Sequence, residues 1–446
     1  MIRFTSTVSP RRDSLAAVSG HPLLAAATLV LMLGCSVTVS TPLPGTGGAP
    51  AGNGIGGATV GPGMGGAGAT SMGGATGQGG AGPIGGTSGS GGRMNTGGGP
   101  AGGTTGAGGR TSPDGGAAVG GMSGTGGAPA AGGAGGDRCD VGVYDPVSPP
   151  RSLPITNGEN VHDPSMILSG GTYYVFNSGL WTRTSTNLSS WTNIAQLLSP
   201  HPAWIATTLP MVGTGDLWAP DVSFFNGLYH LYYAASTFNS KVSCIGHATR
   251  TAMNAGTWLE DGHPVICSNV DSTVNWNAID PNMILDPAGA PWLVFGSGWD
   301  GIQIVRLTAT GALDPTSTVA TIATRTAGVI EGAAMVRRCG YYYLFTSWDL
   351  CCLGASSTYN IRVGRSTSMT GGFVDKNGVA LTKGGGTLLL GAGNGWVGPG
   401  GESVLFNGTR AYLVYHAYAA TDGHFAVHVS DLTWDASGWP VTSATP

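Results

Sequence analysis

The stretch HDPSMI at residues 162–167 contains the pattern that decides the fold, because similar stretches recur along the chain. Each stretch has an acidic residue near its start, and a bulky apolar residue lies four positions after that acid. An aromatic run follows shortly afterwards. The acids are Asp163 in HDPSMI, Asp221 in APDVSFF, Asp280 in IDPNMI and Glu331 in IEGAAMV. The aromatic runs are TYYVF, LYHLYY, PWLVF and YYYLF. This repetition indicates one structural unit that the chain uses several times.

A fifth copy, GESVLFNGTRAYLVYHAY, has the same hydrophobic outline but places Gly401 where the others place an acid. The copies follow one another about every 50 to 70 residues. Short alternating strands separated by Gly-rich turns at roughly this period are typical of a β-propeller, whose blades take about 40–50 residues or somewhat more. The five copies therefore predict an all-β fold, a five-bladed β-propeller, over residues 138–446.

The four acids are expected to lie close together in this fold. The first strand of each blade lines the central channel of a propeller, so equivalent residues of the first strands form a ring. Four carboxylates in one ring would repel each other and lose hydration unless something compensates for their charge. We interpret the ring as a functional site rather than a structural one.

Composition divides the chain sharply. Of the 12 Trp, 13 Tyr and 10 Phe residues, only Phe4 precedes Tyr144, and residues 44–136 consist almost entirely of small residues. A segment with so little side chain to bury cannot offset the entropy cost of ordering. We therefore predict a disordered Gly-rich linker at residues 36–137, between a leader at residues 1–35 and the propeller, which we expect to be monomeric.

The leader has the features of an export signal. Arg11 and Arg12 precede the apolar run LLAAATLVLMLGC, which is too short for a spanning helix. The run ends in Gly34-Cys35, which resembles the lipobox of bacterial lipoproteins and implies lipidation of Cys35. An ordinary cleaved signal peptide or an uncleaved anchor is the alternative. Either way, the protein is expected to be exported, and membrane contact is expected only through this anchor.

Charge and cysteine content narrow the function further. A net charge of −4 with only 9% charged residues argues against a nucleic-acid partner, because phosphate binding needs a basic surface. Excluding Cys35, an even number of cysteines remains, which permits disulfides in an exported protein. The pairing stays open, and the adjacent pair could equally be reduced. These cysteines are Cys139, Cys244, Cys267, Cys339, Cys351 and Cys352.

Paired carboxylates in an aromatic-rich exported β domain favour glycoside hydrolysis. In that reaction one carboxylic acid protonates the leaving oxygen while a carboxylate activates water. Sugars also stack on aromatic faces, and Trp218 and Trp276 lie shortly before Asp221 and Asp280. Packing between blades is the alternative role for each tryptophan.

The motifs VHDPSMI, WAPDVSFF, WNAIDPNMI, VIEGAAM, SWDLCCLGASSTYNIRVGRS, GGGTLLL, GPGGES and YHAY resemble those of endo-α-1,5-L-arabinanases of glycoside hydrolase family 43. The resemblance covers nearly the whole predicted propeller in the same order. It implies an inverting hydrolase that cleaves arabinan, the side-chain polymer of pectin, at one end of the channel without an organic cofactor.

The resemblance also implies roles for individual residues. Asp163 matches the general base, Glu331 the general acid, and Asp280 the third carboxylate, which raises the pKa of the acid and holds it in place. The remaining matches are to substrate contacts and to a residue that holds a hydrated calcium ion. The substrate contacts are His162, Trp218, Asp221 and Asn277, and the calcium residue is His416. A structural hydrogen bond is the alternative for Asp221, and a satisfied channel residue is the alternative for His416.

Two other functions stay open at the level of the sequence. An exo-acting arabinofuranosidase or xylosidase of the same family would share these motifs, since loops set the shape of the cleft. A glycan-binding propeller without turnover would keep the fold. The presence of all three carboxylates argues against the second alternative, because binding alone does not require an acid with a raised pKa.

Overall fold

The computed structural model describes residues 137–213, 217–268 and 273–446. Within these residues the strands form five antiparallel sheets, and in each sheet neighbouring strands follow chain order apart from one extra strand in the second. Blade 1 contains Ser165–Ser169 (β1), Thr172–Asn177 (β2), Trp181–Ser185 (β3) and Thr192–Gln196 (β4). Blade 2 contains Leu217–Phe225 (β5), Leu228–Ala235 (β6), Ser243–Arg250 (β7), Leu259–Glu260 (β8) and Ile266–Ser268 (β9).

The other three sheets have the same plan. Blade 3 contains Asn282–Leu285 (β10), Pro291–Phe295 (β11), Ile302–Arg306 (β12) and Ala320–Ala323 (β13). Blade 4 contains Ile330–Arg338 (β14), Tyr341–Trp348 (β15), Asn360–Ser366 (β16) and Thr387–Leu390 (β17). Blade 5 contains Trp396–Asn407 (β18), Arg410–Ala419 (β19), Phe425–Trp434 (β20) and Pro440–Val441 (β21). One short helix, Ala203–Thr208 (α1), connects blades 1 and 2.

The first strands contact one another in a closed cycle, from β1 through β5, β10, β14 and β18 back to β1. This arrangement is the centre of a propeller, and it confirms the five blades predicted from the repeats. The hydrophobic core follows the same symmetry. The described residues contain five buried apolar clusters, one between each pair of neighbouring blades.

The second strand of a blade explains the unbroken aromatic runs. Successive side chains of a strand point to opposite faces of the sheet. In β6, Tyr233 packs in the cluster between blades 1 and 2, whereas Tyr232 packs between blades 2 and 3. In β15, Leu344 and Tyr343 divide in the same way between the two interfaces of blade 4. Because both faces of these strands are buried, apolar residues occupy most positions rather than alternate ones.

The segment before blade 1 helps to close the ring. Val143, Ser152 and Glu159 form isolated β-bridges with residues of β20 in the last blade. The disulfide Cys139–Cys339 joins this segment to the hairpin of blade 4. Cys244–Cys267 and Cys351–Cys352 are also disulfides, so all six cysteines of residues 137–446 are paired.

The leader and the Gly-rich linker predicted for residues 1–35 and 36–137 lie outside the described residues, apart from residue 137. Among the helices of the described part, none is long and apolar enough to span a membrane.

Candidate active site

Each blade has a residue in the left-handed backbone region at an equivalent place, within its first strand or just before it. It lies two positions before the residue at which regular pairing with the second strand starts, as in Ser165–Phe176 of blade 1 and Ala334–Phe345 of blade 4. The corresponding pairs in blades 2, 3 and 5 are Asp221–Tyr232, Asn282–Val294 and Ser403–Val414. The left-handed residues, with φ between 42° and 60°, are Asp163, Ala219, Asp280, Gly332 and Gly401.

This equivalence corrects the ring predicted from the sequence. Only Asp163 and Asp280 occupy equivalent positions, whereas Glu331 lies one residue before the left-handed position and Asp221 lies two residues after it. The prediction of four equivalent acids is therefore wrong at Glu331 and Asp221. A proline follows the left-handed residue in blades 1 to 3, and a glycine occupies it in blades 4 and 5, so the prolines and glycines mark the equivalence that the acids do not.

The glycines at this position allow two blades to approach closely. A Cβ atom on Gly401 would collide with Asp163 Oδ1 and would lie 2.8 Å from His416 Nδ1. A Cβ atom on Gly332 would lie 2.9 Å from Ser347 Oγ and 3.5 Å from the Cα atom of Gly401. The fifth blade therefore lacks an acid here because the space is filled by the acid of the first blade.

Asp163 is held as a carboxylate. Ser178 Oγ donates a hydrogen bond to Asp163 Oδ2 at 2.6 Å, and His162 Nδ1 lies 2.8 Å from the same oxygen. Burial alone would raise the pKa of Asp163, but the partners His162 and Ser178 outweigh it and hold that pKa well below its ordinary value. His416 contributes little positive charge, because burial lowers its pKa well below the ordinary value and leaves the imidazole neutral. Asp163 is therefore ionised at neutral pH.

The surroundings of Asp280 and Glu331 have the opposite effect and raise the pKa of both acids. Asp280 Oδ2 accepts a hydrogen bond from the backbone N–H of Gly332 at 2.9 Å, and Glu331 accepts hydrogen bonds from Ser297 Oγ at 2.5 Å and from Tyr359 Oη. Burial, followed by the charge of Glu331, raises the pKa of Asp280 well above its ordinary value. Burial also raises the pKa of Glu331, against the lowering by its two hydroxyl donors. Because two buried carboxyls this strongly linked do not both ionise readily, the pair keeps a proton to a higher pH than an ordinary carboxyl does.

Glu402 is a further acid that sequence reasoning missed. Its side chain is buried, Ser347 Oγ donates to Glu402 Oε2 at 2.6 Å, and the N–H of Gly401 donates to Ser347 Oγ at 2.8 Å. Burial raises the pKa of Glu402 to about 8. Glu402 directly follows Gly401, the residue that stands in the fifth copy where the other copies have an acid. That neighbouring position was the sequence feature that could have identified Glu402.

Asp221 joins two blades. Its carboxylate accepts hydrogen bonds from Ser223 Oγ at 2.9 Å, from Asn282 Nδ2 at 3.1 Å and from the backbone N–H of Met283 at 3.1 Å. Burial raises the pKa of Asp221 to about 6. These contacts within the protein favour the structural alternative for this residue. Asn277 is also buried, and it accepts a hydrogen bond from Ser243 Oγ at 2.5 Å.

Two of the predicted substrate contacts are accessible. Trp218 is partly exposed and packs against Phe238, with ring centroids 4.9 Å apart, and half of Phe238 is exposed. His162 has 17% of its side chain exposed beside Asp163. Trp218 and Phe238 therefore offer an aromatic surface of the kind that binds sugar rings. Sequence reasoning did not single out Phe238.

His162, Asp163 and His416 form one compact group of candidate metal ligands, with the nearest donor atoms all within 4.8 Å of one another. The His162 and His416 rings stack with centroids 3.7 Å apart. His416 Nε2 is buried and has no hydrogen-bond partner among the described residues. A calcium ion prefers six to eight oxygen ligands, so this group fits such an ion only if water completes the shell.

Comparison with known proteins identifies the family. Residues 152–440, more than half of the chain, match the sequence pattern of the family "Glycosyl hydrolases family 43". The chain belongs to this family. Among curated members, the extracellular endo-α-(1→5)-L-arabinanase 1 of Bacillus subtilis (strain 168) is 39% identical over 293 residues, covering 64% of this chain and 88% of the relative. The extracellular exo-α-(1→5)-L-arabinofuranosidase ArbA of Cellvibrio japonicus (strain Ueda107) is 34% identical over 300 residues, covering 63% and 86%.

A solved structure from glycosyl hydrolases family 43 agrees with the fold. The GH43 endo-arabinanase of Bacillus licheniformis superposes with a TM-score of 0.60 at 40% identity, and the match covers 65% of this chain and 100% of that chain. The resemblance predicted from the motifs is therefore confirmed at the level of the family.

Proposed function

We propose that this protein is an inverting glycoside hydrolase that cleaves internal α-1,5-L-arabinofuranosidic bonds in arabinan. The observation that supports it most strongly is the contrast in one site of a family 43 propeller between Asp163, whose partners lower its pKa, and the Asp280–Glu331 pair, in which burial raises the pKa of both acids. Hydrolysis with inversion needs one carboxylate to activate water and one carboxylic acid to protonate the leaving oxygen. The two environments provide both forms at the same pH.

Asp163 is the proposed general base. A base must be ionised before it accepts a proton from water, and the hydrogen bonds from His162 and Ser178 stabilise that form. His162 also has an exposed fraction, so we propose that it contacts the substrate beside the reacting bond.

Glu331 is the proposed general acid, and Asp280 is the proposed residue that keeps it protonated. The charge of one carboxylate opposes ionisation of the other, so the pair releases its proton only at a raised pH. The N–H of Gly332, the residue next to Glu331, donates a hydrogen bond to Asp280. This contact holds the two acids close to each other. When the glycosidic bond breaks, the proton of the pair passes to the leaving oxygen through Glu331.

The substrate follows from the relatives and from the accessible aromatic surface. Both curated relatives carry names that specify α-(1→5)-linked arabinan chemistry, one endo-acting and one exo-acting. We propose that Trp218 and Phe238 bind an arabinofuranosyl unit. We further propose that the buried Asp221 and Asn277 hold the surrounding strands together through their hydrogen bonds to Asn282, Met283 and Ser243.

The test is product analysis of the full-length protein on debranched arabinan, beside Glu331→Ala and Asp163→Ala variants. A rapid fall in viscosity and a mixture of arabino-oligosaccharides, both abolished in the two variants, are the expected results. A single short product with slow loss of viscosity would favour exo action instead. Binding to arabinan without any product over long incubation would replace the hydrolase by a glycan-binding propeller.

We further propose that His416, with Asp163, holds a hydrated calcium ion in the channel. Two features support this role: Nε2 of His416 is buried without a hydrogen-bond partner among the described residues, and Asp163 Oδ1 lies 3.6 Å from the other ring nitrogen, Nδ1. When bound, the ion supplies positive charge beside Asp163, which favours the ionised base. Metal analysis of the purified protein and of His416→Ala tests it, and equal calcium content in both would contradict it.

We also propose that residues 1–35 direct export, that Cys35 carries a lipid, and that residues 36–137 link this anchor to a monomeric propeller at residues 138–446. The extracellular relatives and the three disulfides support export, since disulfides persist in oxidising compartments. Detergent-phase partitioning of the protein and of Cys35→Ser tests the lipid, and identical partitioning would exclude it.

A further inference from the structure

The loop between β15 and β16 lies against both sides of the site. It begins at Asp349, with φ of 74°, and contains Cys352, with φ of 64°, so two non-glycine residues adopt the left-handed conformation. Such residues persist only where the surroundings hold them, and they cluster at functional sites. Tyr359 at the end of the loop donates to Glu331, whereas Cys352 near its start faces the Asp163 side.

Cys352 is the start of a chain of hydrogen bonds that ends at the proposed base. The backbone N–H of Cys352 donates to Tyr418 Oη at 3.0 Å, and Tyr418 Oη lies 2.5 Å from His162 Nε2. His162 Nδ1 lies 2.8 Å from Asp163 Oδ2. Four residues from three parts of the propeller are therefore connected without a gap.

The donors in this chain all point in one direction. An ionised carboxylate only accepts hydrogen bonds, so His162 Nδ1 must carry the proton that faces Asp163. The other ring nitrogen, Nε2, faces the Tyr418 hydroxyl and accepts from it when it carries no proton. The same hydroxyl oxygen accepts from Cys352. The amide of Cys352 therefore orients Tyr418, and Tyr418 fixes both the tautomer and the ring position of His162.

The disulfide with Cys351 is what fixes this amide. A bond between adjacent cysteines closes a small ring through the peptide unit that joins them, and the N–H of Cys352 belongs to that unit. Cys352 Sγ also lies 3.9 Å from His162 Nε2, so the sulfur packs beside the imidazole. A disulfide over so short a loop removes little entropy from the unfolded chain, so global stability does not account for it.

We propose that the Cys351–Cys352 disulfide is a positioning element of the active site, which acts through Tyr418 and His162 to hold the carboxylate of Asp163 in place. The role of Asp163 in this statement rests on the proposed hydrolase function. The contact between the disulfide loop and Tyr418 does not. The two parts are separable by experiment.

The first experiment is a double-mutant cycle in the full-length protein on debranched arabinan. The disulfide is removed in Cys351→Ala/Cys352→Ala, the hydroxyl in Tyr418→Phe, and both in the combined variant. We expect each change to lower kcat about tenfold with KM within about twofold, because a misplaced base slows the reaction without weakening binding. The combined variant is expected to be no more than about threefold slower than Tyr418→Phe, because contacting residues in one chain are not additive.

Two controls separate positioning from general loosening. Thr358→Val removes the hydrogen bond from the Leu350 N–H to Thr358 Oγ1 within the same loop and leaves the disulfide intact. Cys139→Ala/Cys339→Ala removes a disulfide elsewhere. Both are expected to keep kcat within about twofold. Three results would overturn the proposal: additive losses of kcat in the double-mutant cycle, an increase in KM with unchanged kcat, or an equal fall in kcat for Thr358→Val.

Hydrogen exchange at the Cys352 amide gives a readout that needs no turnover and no disulfide variant. We expect slow exchange in the parent and exchange at least about tenfold faster in Tyr418→Phe, because the acceptor is lost. Equal exchange in both proteins would overturn the positioning contact whatever the activity. A parent with a protected amide and no activity on arabinan would instead contradict the proposed function.

Discussion

The Asp163 side and the Asp280–Glu331 side of the site differ although both start from a carboxylate at the mouth of the same channel. Asp163 and Asp280 even occupy equivalent left-handed positions, each followed by a proline. The pKa of Asp163 lies well below the ordinary value and that of Asp280 well above it. The difference shows that the neighbours of an acid, and not its place in the repeat, decide its protonation state.

The neighbours differ in a simple way. Asp163 has two hydrogen-bond partners that stabilise negative charge, Ser178 and His162. Asp280 has one backbone donor and a second acid beside it. A fivefold fold offers the same backbone position repeatedly, and side chains from adjacent blades make each copy chemically different. Four substitutions would break or sharpen this contrast.

The largest effect is expected from Asp163→Asn, which removes the ionised carboxylate and keeps the shape. The amide cannot accept the proton of the attacking water, so kcat should fall about a thousandfold or more. Steady-state kinetics on debranched arabinan measure it. The matched variant Ser178→Ala, which removes a donor to this carboxylate and the acceptor of the Ala219 N–H, should lose less than about tenfold in kcat. A comparable loss in both variants would contradict the role of Asp163 as the base.

Gly401→Ala is expected to reduce kcat about a hundredfold, because the added Cβ collides with Asp163 and displaces it. Gly408→Ala is the matched control, since Gly408 has the same φ of 59° and no heavy atom within 4 Å of the added Cβ. The control should lose only about 1 kcal/mol of unfolding free energy and no activity. Equal activity in the two variants would show that Asp163 has room to move.

Ser297→Ala should shift the pH profile without abolishing activity. The serine donates to Glu331 and favours its ionised form, so its loss raises the pKa of the pair further. The acid must be protonated, and activity is lost as pH rises through that pKa, so the alkaline limb of kcat/KM should move up by roughly half to one pH unit.

In Ser178→Ala, by contrast, neither the acid nor the alkaline limb of the pH profile of kcat/KM should shift. Removal of a donor also raises the pKa of Asp163, but that pKa starts so low that the base stays ionised throughout the assay range. A shift of the alkaline limb in Ser178→Ala, or none in Ser297→Ala, would contradict the division of the two sides.

The smallest catalytic effect is expected from Glu402→Gln, whose effect should instead be on stability. Burial raises the pKa of Glu402 from 4.5 to about 8, so the folded state is more stable when Glu402 is protonated. That contribution is complete below about pH 4.5 and is lost as pH rises to about 8. The parent should therefore lose about 5 kcal/mol of unfolding free energy over this window through Glu402, and the variant should not. Denaturant unfolding at several pH values measures it, and parallel curves would contradict it.

Much of the site was predictable from residues alone, but not its symmetry. Asp163, Asp280 and Glu331 were identified from the repeat and from the family motifs, and the structure brings all three into one electrostatic network. Their assumed equivalence was wrong at Glu331, because a backbone irregularity separates its pair with Ser347 from the regular pairing that starts at Ala334. Phe238 was missed because it lies in a connection between strands, where no repeat pattern marks it.

Sequence periodicity by itself determined the number of blades and the order of the strands, because five copies of one strand unit with two apolar faces are buried only when each copy packs between two others. It also determined the family, since the motifs are local. Only the tertiary structure decided which carboxyl is ionised, why Gly401 is not an acid, and how Cys352 reaches His162. These properties depend on burial and on contacts between residues of different blades, and neither is a function of spacing along the chain.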